Sequence, residues 1–148
     1  MSLENTISEA IKDAMRAKDK VALDALRAVK SQILLLKTEA KGADISAEQE
    51  IAILQRMVKQ RKDSYDQFIA QNRTDLAEVE SAQTAVIEKY LPQQLSEEEL
   101  EKEMKQIINE TGAESAKDLG KVMGTASKKL AGKSDGKSIS AMAKKLLS

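Results

Sequence analysis

The chain has 148 residues, 41% of them apolar and 32% charged, and its 24 basic and 24 acidic side chains cancel. That length holds one domain or two small ones around a modest core. There is no cysteine and no histidine, which excludes disulfides, thiolate nucleophiles, cysteine metal sites and imidazole acid–base chemistry.

Tyr65, Phe68 and Tyr90 are the only aromatic residues and Pro92 the only proline, so the core is expected to be aliphatic and helical rather than sheet-forming. No apolar run is longer than Ile33–Leu36, far short of a membrane span, and Met1-Ser2-Leu3-Glu4 has no basic-then-apolar leader pattern. A soluble, cytoplasmic protein that does not meet a membrane is the expectation.

In chain order, Leu3, Ile7, Ala10, Ile11 and Ala14 follow the helical period, with Ser2 as cap. Asp19 restarts the chain into a second helix along Ala22, Leu26, Val29, Ile33 and Leu36, ending near Gly42. Ser46-Ala47-Glu48-Gln49 is a capping box for a third, with the stripe Ile51, Leu54, Val58, Arg61, Tyr65 and Phe68. After Asn72-Arg73, Thr74 is read as the cap of a fourth helix through Leu76, Val79, Val86 and Tyr90, stopped by Pro92.

Ser96-Glu97-Glu98-Glu99 is a second capping box, and Leu100, Met104, Ile107 and Ile108 mark a fifth helix ending at Gly112. Leu119, Val122, Met123, Ala126 and Leu130 mark a sixth, closed by Gly132. Ile139, Met142, Ala143, Leu146 and Leu147 mark a seventh, capped by Asp135 or Ser138. The expected fold is all-α: residues 1–92 form an N-terminal body of about four helices with a long helical hairpin, and residues 93–148 a small three-helix domain. Leu91–Leu95 is the joint between them.

Charge is distributed unevenly. From Asp118 to Ser148 seven lysines oppose only Asp118 and Asp135, leaving +5, whereas residues 93–117 carry −4 and residues 1–92 carry −1. One end of the chain is therefore suited to a polyanion. Gly120 and Gly124 stand four apart on the sixth helix and share a face that lacks side chains. Two readings are open: the strip packs tightly on a neighbouring helix, or it approaches a nucleic-acid backbone while lysines supply charge. The candidate nucleic-acid-binding set is Gly120, Lys121, Gly124, Lys128, Lys133 and Lys137. The G-x-x-x-x-G-K-S/T spacing of a nucleotide phosphate loop is missing.

A possible second surface comprises Lys59, Arg61, Lys62 and Arg73. Lys59 and Lys62 precede Asp63 and Asp66 at i,i+4, which suits an internally paired, solvated face. Arg61 lies on the apolar stripe, where its stem can cover core and its head pair with a carboxylate. Ser127-Lys128 and Lys133-Ser134 are candidates for a serine–lysine pair, but neighbours on a helix point apart. The Glu97–Glu99 run complements a helix dipole. No catalytic residue, metal site or cofactor is expected from these residues.

Taken in order, Lys59-Gln60-Arg61-Lys62-Asp63-Ser64, Asn72-Arg73-Thr74-Asp75-Leu76, Tyr90-Leu91-Pro92-Gln93-Gln94-Leu95 and the glycine-rich tail resemble YqeY-type members of the GatB/YqeY family from end to end. The tail is similar to the C-terminal domain of the B subunit of glutamyl/aspartyl-tRNA amidotransferase, which amidates mischarged Glu-tRNA(Gln) or Asp-tRNA(Asn). In that subunit the tail meets the tRNA elbow, while a separate catalytic cradle carries the ATP- and metal-dependent chemistry. The resemblance thus implies an all-helical fold and a tRNA-contacting tail, and transfers no catalytic residue. The family's label, carbon–nitrogen ligase with glutamine as amido-N-donor, accompanies it.

The reading preferred from sequence is a tRNA-binding accessory without its own catalytic centre. A component of a tRNA-dependent amidotransferase complex, partnered by its subunits, is the second. A helical protein–protein adaptor is the third.

Overall fold

The computed structural model describes residues 2–148, and every regular element among them is helical. Seven α-helices follow one another: α1 (Leu3–Ala17), α2 (Lys20–Glu39), α3 (Ala47–Ala70), α4 (Thr74–Glu88), α5 (Glu97–Thr111), α6 (Leu119–Lys129) and α7 (Gly136–Leu147). A 3₁₀ turn at Ala116–Asp118 leads into α6. The chain divides into two compact units between Leu91 and Pro92.

Most helix starts are written in the sequence as caps. The hydroxyls of Ser2, Ser46 and Ser96 accept from the backbone N–H groups of Asn5, Gln49 and Glu99, and the carboxylates of Asp19 and Asp135 accept from Ala22 and Ser138. Each satisfies a donor that the first turn leaves without a partner. Both expected capping boxes form: the side chains of Gln49 and Glu99 accept in return from the N–H groups of Ser46 and Ser96.

In the first unit α1 lies on α2, α2 on α4, and α4 on α3, with lesser contact between α2 and α3. Their shared core includes Ile7, Val29, Ile33, Leu54 and Ile87, all essentially sealed from solvent. Full burial of one such side chain stabilises by about 1.5–3 kcal/mol. In the second unit Leu100, Met104 and Ile107 of α5 pack with Val122 and Ala126 of α6 and Ile139, Met142 and Ala143 of α7.

Three expectations for the first unit need correction. Thr74 is the first residue of α4 and not its cap: the cap position belongs to Arg73, which makes no side-chain capping bond. The left-handed Asn72 turns the chain one residue earlier, and the Arg73 N–H closes onto the Phe68 carbonyl at 2.8 Å. On α3 the buried residues are Ile53, Leu54, Met57 and Val58, while Tyr65 is exposed. On α4 they are Ala77, Thr84 and Ile87, while Val79 is exposed. The physical reason is that α3 and α4 each touch two neighbours, so the buried face is wider than, and rotated from, a single stripe.

Candidate functional site

α6 is held by its apolar edge. Val122, Ala126 and the following Leu130 are buried against α5 and α7, with Leu119 and Met123 half-buried beside them. The opposite edge carries Gly120, Lys121, Gly124, Ser127 and Lys128, all exposed. At 100° per residue these five fall within one broad arc.

The glycines bear on the packing reading of the strip. A Cβ added at Gly120 or at Gly124 would meet no atom within 4 Å. Neither glycine is therefore required for packing against another element of the chain. Both lie within an 11-residue helix at ordinary helical conformations, where each costs about 0.8–1 kcal/mol relative to alanine.

Lys121, Lys128, Lys133 and Lys137 are exposed, and none joins any ion pair among the described residues. Lys129, on the same helix, differs: its ammonium is bound by Glu110 of α5, whose carboxyl is held below the usual carboxylate range by that hydrogen bond. Two of the three lysines of α6 remain available.

Two features that position the site were not visible in the sequence. The Asp118 carboxylate does not cap α6; it turns back to accept from the Glu114 N–H at 3.0 Å, closing the loop from α5. The turn that carries Lys133 is clamped by the segment before α5. Leu95 N–H donates to the Lys133 carbonyl at 2.9 Å, and the Gln94 side-chain amide donates to the Gly132 carbonyl at 2.5 Å. Gln94 and Leu95, read as part of a joint, are fastened to the α6–α7 turn across 38 residues of sequence. Only Gly132, in the left-handed region at φ 78°, marked that turn beforehand.

The second candidate surface is mostly engaged internally. Arg61 donates from Nε to the Gln83 carboxamide at 3.1 Å and from its guanidinium to the Met57 carbonyl at 3.4 Å, so it pairs with an amide and not with a carboxylate. Lys62 pairs with Glu88 of α4 at 3.3 Å and not with Asp66, because α4 brings a carboxylate closer than the helix's own next turn. Arg73 makes a two-pronged contact with Asp75 at 3.1–3.2 Å, which lowers the Asp75 pKa. Lys59 alone is exposed and in no ion pair among the described residues. Arg61 and Lys62 thus tie α3 to α4, Arg73 is held locally by Asp75, and Lys59 faces outward.

Neither Ser127 nor Ser134 exchanges a hydrogen bond with a lysine, and no group of three acidic side chains able to hold a metal ion occurs among the described residues. No helix of the described residues is long and apolar enough to cross a membrane.

Comparison of the sequence with known proteins places the chain in a family. The family model described as Yqey-like protein matches residues 4–147. The chain is 33% identical over 118 residues to "Altered inheritance of mitochondria protein 41, mitochondrial" of Clavispora lusitaniae, covering 78% of this chain and 68% of that protein. It is 30% identical over 106 residues to the protein of that name in Lachancea thermotolerans, covering 70% and 57%, and 38% identical over 92 residues to that of Meyerozyma guilliermondii, covering 59% and 45%. The matched stretch thus spans from about half to two thirds of the length of these curated relatives.

These names overturn the cytoplasmic expectation, since all three relatives are called mitochondrial. The grounds for it were a lack of cysteine, of any long apolar run and of a basic-then-apolar pattern in Met1-Ser2-Leu3-Glu4. Such composition suits any reducing aqueous compartment and carries no address. With a family model matching nearly the whole chain and a relative one-third identical over most of its own length, the chain belongs to the YqeY-like family.

Proposed function

We propose that the tail docks on the phosphate backbone of a folded RNA, with tRNA as the class, and that the chain is an accessory without a catalytic centre of its own. In this reading a four-helix body built around a long hairpin carries a three-helix tail domain, and the exposed edge of α6 is the contact. The supporting observation is the pair of exposed glycines, Gly120 and Gly124, open to solvent and bordered by the unpaired Lys121 and Lys128. Two poor helix formers in one short helix are destabilising, and packing among the described residues does not require either, since an added Cβ would meet nothing. Close approach of a rigid polyanion would offset that cost. Removing side chains from the strip lets a phosphate ridge come near the helix, while lysines on its border and in the adjacent turn displace counterions. The tail contains no aromatic residue, so shape and phosphate contacts, not base stacking, are the mode of recognition available to it.

Filter-binding titrations across a salt series test this, using total tRNA and, given the relatives' names, mitochondrial tRNA. Lys121→Ala and Lys133→Ala should each weaken binding and lower the salt slope by about 0.7–0.9, the share of one phosphate. Gly124→Leu should weaken binding without lowering the melting temperature. Salt-insensitive binding, or unchanged binding in all three variants, would remove the basis of the proposal.

A further inference from the structure

The outer end of the α3–α4 hairpin carries apolar surface that the first unit does not use. On α3, Leu54 and Val58 are buried at 1% and 7% exposure, yet the same stripe continues to Tyr65 and Ile69, which are 38% and 43% exposed. On α4, Val86 packs against the core, and Val79, two turns away on the same line, is 44% exposed. The hydrogen bond from Arg61 to Gln83 sets the register of this antiparallel pair. One turn further out Tyr65 comes level with Val79, and the next turn brings Phe68 level with Leu76. Both of the latter are half-buried and lie outside the core cluster. Two of the chain's three aromatic residues therefore sit at this end, where aliphatic side chains would suffice to hold two helices together.

The charge around this end is one-sided. Between Asp63 and Glu80 there are five carboxylates, at 63, 66, 75, 78 and 80, against Arg73, which is already held by Asp75; of the cations just inward, Lys62 is paired with Glu88 and Arg61 bonded to Gln83, which leaves Lys59. This negative rim repels an RNA backbone, and it also repels an identical copy of the same surface. It complements a cationic partner. We propose that the outer end of the α3–α4 hairpin docks the apolar face of a basic amphipathic helix on a protein partner. Tyr65 is the expected anchor, since a tyrosine brings a large contact area with only two side-chain torsions to order, and Ile69, Val79 and the edges of Phe68 and Leu76 form the floor. The acidic rim supplies orientation and rate of encounter.

The test uses the full-length chain and two labelled peptides of about five helical turns. One bears leucines along one face and lysines around it; the other has the same leucines with glutamates in place of the lysines. Fluorescence anisotropy should show saturable binding of the lysine peptide, weakening with added salt, and none of the glutamate peptide. Tyr65→Ala and Val79→Asp should each weaken binding roughly tenfold or more, the scale of one interface anchor. The exposed Met15 of α1 serves as a control, and Met15→Ser should leave binding unchanged. Circular dichroism confirms that each variant is folded, and Ile69→Ser replaces any that is not. Failure of the lysine peptide to bind, equal binding of both peptides, or indifference to the substitutions would overturn the proposal. So would a concentration-dependent dimer in sedimentation that Val79→Asp dissolves, because the occupant would then be a second copy.

Discussion

At Gly124 the absence of a side chain has a measurable sign. Had the strip been a packing device, any Cβ there would collide with a neighbour and destabilise the fold. The space is open instead, and the backbone is helical. Gly124→Ala should therefore raise stability by about 0.5–1 kcal/mol, the ordinary glycine-to-alanine difference in a helix interior. Urea denaturation followed by helical signal measures it; a loss of stability would show that the strip is structurally occupied. Arg61 illustrates the opposite case. Its place on the apolar stripe was legible, but its partner, the Gln83 amide, was not, since only the packing of α3 on α4 brings the two together.

At the scale of the helix, α5 shows how a cap couples to pH. Glu99 is held below the ordinary carboxylate range chiefly by the Ser96 backbone N–H, and Glu110 near the far end of the helix by Lys129. A carboxyl depressed in the folded state contributes stability that is fully present above its unfolded pKa and is lost as pH falls through the lower folded one. The second unit should accordingly be more stable at neutral pH than in acid, below the ordinary glutamate value of 4.5. Glu99→Gln should reduce that dependence, and Ser96→Ala should cost about 1 kcal/mol, as expected for the loss of an N-cap. Thermal melts of the two variants at neutral and acid pH provide the check. A pH profile identical to that of the parent would show that the capping box does not carry the effect.

For the whole molecule, each unit has its own core, one from α1–α4 and one from α5–α7. Fragments 1–91 and 92–148 should therefore each be helical by circular dichroism and melt cooperatively. The shorter piece is the more marginal, since small domains bury less of their surface. Its clamp of Gln94 and Leu95 onto the α6–α7 turn means that cutting after Leu95, rather than before Pro92, should unfold it more easily. Equal melting of the two versions would show that the clamp is unimportant.

The sequence by itself determined the helical class, the places where most helices begin and the basic character of the tail. Caps, glycines, proline and charge act over four or five residues, and local chemistry of that range survives without knowing what lies across the core. That is why Ser46, Ser96 and Gly112 were legible while the buried faces of α3 and α4 were not: those faces depend on which two helices flank each one. Tertiary structure alone decided that Gly120 and Gly124 face open space, that Lys62 pairs with Glu88, that Gln94 fastens the turn bearing Lys133, and that the stripe of α3 outruns its core to leave Tyr65 in solvent. Each of these turns on the distance between groups far apart along the chain, and periodicity, which records only the direction of a side chain about its own helix axis, does not contain that distance.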